Sequence, residues 1–249
     1  MSIYDKASLV LIPSGTKTSK VYSQKPVNGD GDFTFSRSTA ATRVNADGNI
    51  EKETQNLFLQ SNTFSNASWT KTNSSVTAGQ SGYDGSSDAW KLQATAASTC
   101  IVRQFIDTSS SVSTFSFYAK AGTTNWTYVN CVSVTAFFNL SNGTTGYVNS
   151  AAIDASITDV GSGWYRISLT GSGMTQQRIY TAPSNNNSVS AIGDNIYIQD
   201  AQLEQGLVAR DYIETTTAAV EGGITDNVPR LDYTDSSCPA LLLEPQRTN

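Results

Sequence analysis

The chain has 249 residues, is 38% hydrophobic and 15% charged, carries a net charge of −5 and contains no histidine. Its 33 Ser, 30 Thr and 18 Asn include many side chains that compete with a helical backbone for hydrogen bonds, while Thr, Val, Tyr and Phe suit a pleated, half-buried surface; an all-β protein is expected. No apolar run nears the ~20 residues of a membrane-spanning helix, basic residues are too scattered to neutralise a nucleic-acid backbone, and the missing histidine removes Ser-His and Cys-His nucleophiles and the commonest zinc ligand.

Residues 1–54 hold short apolar islands separated by Pro13-Ser14-Gly15, Lys25-Pro26 and Asn28-Gly29-Asp30-Gly31-Asp32. The opening Met1-Ser2-Ile3-Tyr4-Asp5-Lys6 lacks the charged start and cleavage site of a secretory signal, so export by the general route is not expected. Islands this short cannot close a core. The region therefore reads as an extended arm that orders on a partner surface, with Leu9, Leu11, Ile12, Phe33 and Phe35 as docking residues; an unpaired leader is the alternative.

Residues 55–214 carry closely spaced strand signals: Ala89–Ala94, Cys100–Ile106, Val112–Tyr118, Tyr128–Leu140, Gly163–Leu169, Arg178–Tyr180 and Asn195–Leu203. Gly-, Asn- and Ser-rich breaks part them, including Gly82 to Ser87, Ser141-Asn142-Gly143 and Gly161-Ser162-Gly163. About eight short strands with such turns indicate a two-sheet antiparallel jelly-roll sandwich. Residues 215–249 read as a linker and the lead-in to a second module. Leu243-Glu244-Pro245-Gln246-Arg247-Thr248-Asn249 echoes Ile50-Glu51-Lys52-Glu53-Thr54-Gln55-Asn56, and Pro229-Arg230-Leu231-Asp232 echoes Thr42-Arg43-Val44-Asn45.

Several stretches, in this order, resemble a family of virion proteins of tailed bacteriophages. They are Ala7 to Gly15, Gly31 to Ser38 with Ala41 to Gly48, and Phe64-Ser65-Asn66-Ala67-Ser68-Trp69-Thr70-Lys71. Towards the other end come Gly163-Trp164-Tyr165-Arg166, Gln202-Leu203-Glu204-Gln205-Gly206 with Tyr212-Ile213-Glu214-Thr215, and Arg230 to Asn249. The resemblance implies a head or tail fibre protein with a carbohydrate-binding-like jelly roll behind an N-terminal virion-docking region. Its implied partners are capsid or tail proteins in a homotrimeric appendage of the virion, assembled in the host cytoplasm. It brings no catalytic residues and no cofactor.

A pyranose offers an apolar face to aromatic rings, so the four tryptophans are the first candidates for a host surface glycan. Trp164 and Trp90 lie in regular strand patterns and read as core, and Trp69 reads as a plug at one end of the sandwich. Trp126, in Gly122-Thr123-Thr124-Asn125-Trp126-Thr127-Tyr128, lies beside a polar turn; with Tyr128 and Tyr118 it forms the candidate glycan-binding set. Asp84 with Asp88, Asp154 with Asp159, and Asp194, Asp200 and Glu204 read as turn carboxylates rather than a glycosidase acid pair, so no catalysis is expected. Asp200 with Asn56 or Asn62 is a conceivable calcium cradle, but nothing fixes six oxygens, and no metal site is assigned. Cys100, Cys131 and Cys238 lack C-x-x-C spacing and read as buried thiols, with a Cys100–Cys131 bridge as the alternative.

Overall fold

Alternation of apolar and polar residues places one side of each strand in a common core, and twelve such strands build the larger part of the protein. The computed structural model describes residues 3–17, 20–34, 42–44, 50–52, 54–222, 230–232 and 240–242. It divides into two units, Gln55–Val220 and a second formed by Met1–Thr54 with Glu221–Asn249.

The strands of the two six-stranded sheets of the first unit are β1 (Thr70–Thr72), β2 (Ser74–Gln80), β3 (Ala89–Ala94), β4 (Ile101–Gln104), β5 (Val112–Ala121) and β6 (Trp126–Val132). They continue as β7 (Thr135–Asn139), β8 (Thr144–Val148), β9 (Ala152–Gly161), β10 (Trp164–Ser172), β11 (Met174–Ala182) and β12 (Asn195–Gln205). Sheet 1 runs β8-β7-β6-β11-β4-β1 and sheet 2 runs β9-β10-β5-β12-β3-β2. All ten strand pairings within these two sheets are antiparallel. The inner strands follow β4-β11-β6-β7 in one sheet and β3-β12-β5-β10 in the other. The chain crosses between sheets at β1/β2, β3/β4, β4/β5, β5/β6, β8/β9, β10/β11 and β11/β12, which is jelly-roll winding. The expected run Tyr128–Leu140 is two strands, because Val132 takes φ +76° and Asn130 Oδ1 accepts its N–H at 2.9 Å, closing a hairpin without Gly or Pro.

Phe115, Phe117, Ile167, Leu169, Ile196, Ile198 and Leu203 of sheet 2 meet Val102, Val129, Cys131, Phe138 and Ile179 of sheet 1 in one fully buried cluster. In β12 the core positions step from Ile198 to Ala201, and the ladder shifts register between Ser116 and Tyr118. Asp200, at φ +54°, is the inserted residue of this bulge. Trp69 is buried between Phe58 (ring centroids 5.0 Å apart) and Phe64 (4.8 Å), and its Nε1 donates to the Gln60 carbonyl. Cys100 and Cys131 are separate buried thiols, so the bridge alternative does not form; Cys238 lies outside the described residues.

Two segments far apart in sequence close this unit. Asn56, wholly buried, donates from Nδ2 to the carbonyls of Ala201 (3.0 Å) and Ile213 (2.8 Å), while its Oδ1 accepts from Phe58 N and Leu203 N, each at 3.2 Å. Ser61 Oγ shares a 2.6 Å hydrogen bond with Tyr212 OH and accepts from Thr215 N. Between these anchors the segment 206–213 crosses the outer face of sheet 2. Gln202 donates to the carbonyls of Arg210 and Asp211 and accepts from Ile213 N, and Glu204 accepts from Arg210 N at 2.9 Å. The strap thereby supplies backbone partners to Gln202 and Glu204, which are also bonded to each other at 2.8 Å.

In the second unit, the islands of residues 1–34 take up extended backbone. Strands Val10–Lys17, Lys20–Lys25 and Phe33–Thr34 form a three-stranded sheet after a short helix, Ile3–Lys6. Asp32 receives the backbone N–H and hydroxyl of Ser23 and pairs with Lys20 at 3.0 Å. Thr42–Val44 pairs with Ile50–Lys52, and Arg230–Asp232 with Ala240–Leu242, just before the echoed residues 243–249, which lie outside the described residues. Leu9 and Phe33 are exposed and Leu11 is half-buried. Ile12 is placed in its strand by backbone alone, and Phe35 lies outside the described residues.

Candidate functional site

Jelly-roll winding separates the three aromatic residues expected to act together. Trp126 and Tyr128 stand on β6, with their side chains on the outer face of sheet 1. Tyr118 belongs to β5 and points from the outer face of sheet 2, because consecutive strands here alternate between sheets. Tyr118 stacks on Tyr83 (3.6 Å, 7°) and has the Arg166 guanidinium 5.5 Å from its centroid, so both its ring faces are occupied. With Trp164 it forms a small outer cluster, apart from the main core.

On sheet 1, register brings Phe137, Tyr128, Tyr180 and Ile101 into one cross-strand row, and Thr135, Asn130, Arg178 and Arg103 into the next. Tyr128 lies between Phe137 (4.3 Å, 18°) and Tyr180 (4.7 Å, 51°), close to the spacing of neighbouring strands. Its ring faces are used within the row; what it offers outward is an edge and a hydroxyl, which accepts from Asn130 Nδ2 at 2.7 Å. Trp126 is half-buried at the end of β6. A Cβ on Gly146 would lie 2.6 Å from its Cζ3, so the glycine lets the indole lie close to β8. Tyr147, 48% exposed, is the most open ring on this part of the sheet.

The polar row is cationic. Arg178 donates to Gln176 Oε1 from Nε (3.0 Å) and Nη2 (2.5 Å), and to Asn130 Oδ1 from Nη1 (3.2 Å), so two neutral amides hold its guanidinium. Arg103 lies over Phe105 at 4.8 Å, and its Nε is buried without a hydrogen-bond partner. Burial pushes the Tyr180 phenol up, while Arg178 and Arg103 pull it back. No Asp or Glu occurs in any of the six strands of sheet 1. Sheet 2 carries Asp154, Asp159, Asp200 and Glu204.

The outer face of sheet 2 holds a cleft of about 400 Å³ between β9, β10 and the strap, lined in part by Tyr118, Asp154, Ser156, Thr158 and Arg166. Arg166 donates to the Arg210 carbonyl, tying one wall to the strap. Nearby, Gln199 bonds Asp88 Oδ1 at 2.7 Å, and Tyr83 OH donates to Asp200 Oδ2 at 3.0 Å. Burial pushes the Asp200 carboxyl up to about 7. Burial also raises Glu204, whose carboxylate fastens the strap. The suggested calcium ligands are otherwise engaged: Asn56 holds four backbone groups, and Asn62 Oδ1 accepts from Asp200 N. Among the described residues no cluster of three or more His, Cys, Asp or Glu is placed to hold a metal ion, and no helix is long and apolar enough to cross a membrane.

No family model matches the chain, and no curated protein matches it. Among solved structures it is similar to the CBM22-1 and GH10 modules of the Clostridium thermocellum endo-1,4-β-D-xylanase 10B, complexed with xylohexaose. The TM-score is 0.37 and the identity 13%, over 65% of this chain and 30% of that one. The chain thus spans less than a third of that structure's length.

Proposed function

We propose that this chain is a structural component of a tailed-phage virion, a head or tail fibre protein whose N-terminal region anchors to the particle and whose jelly roll projects outward. The observation that carries this reading is where the resembling sequence stretches fall. Trp69, Gln202, Glu204, Tyr212 and Thr215 all sit at the buried plug, the strap or the closing anchors of the sandwich. The sandwich closes through its own two ends and can be carried as an independent module. Particles supplied with a chain lacking residues 1–54 should incorporate none of it, while the isolated 55–220 module unfolds cooperatively. Truncated protein in purified particles would refute the docking role, and absence of the intact chain from particles would refute the virion assignment.

A second reading, a glycan-binding module for host adsorption, is favoured by the outer face of sheet 1. The Trp126 ring lies against Gly146 beside the Asn185 amide, whose Oδ1 accepts from Tyr147 N, so a ring and an amide suited to sugar hydroxyls adjoin there. Trp126→Ala should weaken binding to host surface glycan with the fold intact; unchanged binding would remove Trp126 from the site.

A further inference from the structure

Resting on the reading of sheet 1 as a glycan-binding face, we infer that its ligand is an anionic saccharide, recognised by Arg103 and Arg178 beside the aromatic row. Three observations point the same way. Arg103 and Arg178 are register partners on adjacent strands, so two like charges stand directly opposite each other, an arrangement that costs stability unless something compensates it. Among the described residues no carboxylate compensates it: sheet 1 contains no Asp or Glu in any strand, and neither arginine forms an ion pair. Yet the chain as a whole is acidic, with 21 Asp and Glu against 16 Lys and Arg, so a face of one sign is a local arrangement and not a reflection of composition.

The donors are also prepared differently. The Arg178 guanidinium is oriented by Gln176 and Asn130, which neutralise none of its charge. Arg103 is steadied by the Phe105 ring with its Nε buried and unpartnered, which leaves the terminal guanidinium nitrogens to meet a carboxylate or sulfate. Beside them, the Tyr128 hydroxyl and the Asn130 amide can address sugar hydroxyls, which a bare inorganic anion would not use. A nucleic acid is the less favoured polyanion: two arginines on an acidic protein release few counterions, whereas backbone binding draws on many phosphate contacts.

The test uses the full chain on an array pairing several uronate-bearing oligosaccharides with their carboxyl-reduced counterparts, with sulfated oligosaccharides and a single-stranded oligonucleotide as further arms. Binding to uronate or sulfated members should exceed binding to the neutral counterparts by about tenfold or more and weaken as salt rises, since charge-assisted contacts carry the difference. The uronate and sulfate arms identify which group supplies the charge. Arg103→Gln should erase this preference while leaving the urea unfolding midpoint little changed, because relief of the like-charge pair offsets the lost contact with the Phe105 ring. Equal affinity for acidic and reduced members would overturn the inference and leave the glycan reading standing. No binding anywhere on the array would overturn both, and tighter binding of the oligonucleotide than of any saccharide would replace them.

Discussion

Replacing Asn56 with Ala should be the most damaging single polar substitution in the sandwich. The side chain is fully buried and makes four hydrogen bonds to backbone groups of Phe58, Ala201, Leu203 and Ile213. Alanine leaves two carbonyls and two N–H groups facing a small void. At roughly 1 kcal/mol net for each such bond, the loss is about 4 kcal/mol, a large part of the ~5–15 kcal/mol that stabilises a typical domain. Asn56→Asp should be no better, because it turns an acceptor toward two carbonyls. With a urea dependence of about 2 kcal/mol per M, the midpoint of the isolated 55–220 module should fall by about 2 M, followed by tryptophan fluorescence. A shift below about 0.5 M would show that water or local rearrangement replaces the clamp, and the account of how the module closes would fail.

Three further outcomes follow from the same geometry. Asp200 has a folded-state value of about 7, raised by burial above its ordinary 3.8, with Asp88, Asp84 and Glu214 adding to the rise and Tyr83 opposing it. Its contribution is therefore fully present below about pH 4 and is lost as pH rises through 7; Asp200→Asn should make the fall in stability between pH 4 and 8 shallower, and an unchanged slope in urea midpoints would count against it. Burial pushes the Cys131 and Cys100 thiols up, so neither should react with a disulfide reagent until the protein is denatured; labelling of either in the native state, located by peptide mapping, would contradict the packing. Gly122→Ala would set a Cβ 2.5 Å from the Asn195 carbonyl oxygen, which β12 cannot easily move, and should cost about 1–3 kcal/mol in the same unfolding assay.

How much of this was legible beforehand depends on where each strand lies. The patterns at Ala89–Ala94, Val112–Tyr118 and Asn195–Leu203 correspond to β3, β5 and β12, inner strands whose alternating residues enter the core. The four strands without a sequence signal, β1, β2, β8 and β9, are the four sheet edges. Thr70–Thr72 and Thr144–Val148 are largely polar because an edge strand has a neighbour on one side only and contributes little to the core. Strand propensity alone could not lift them above the surrounding Ser, Thr and Asn.

The candidate site was harder to read for a different reason. Trp126 stood out by its turn context, but its surroundings are assembled from strands that alternate in sequence with those of the opposite sheet. Arg103 and Arg178 are 75 residues apart yet register partners. Tyr118 is only eight residues from Trp126 yet lies on the other sheet's outer face. Nearness in sequence is thus a poor guide to a shared face in this winding. The recognisable stretches instead track closure: Gln202 is specified by three backbone partners and Asn56 by four, while Glu204 meets Arg210 N and the Gln202 amide, and few other side chains could meet those demands. The guanidinium of Arg178, by contrast, is held by two side-chain amides and by no backbone group among the described residues. The stretches that mark the module therefore bear on how it folds, while the charge segregation between its sheets carries the proposal of an anionic ligand.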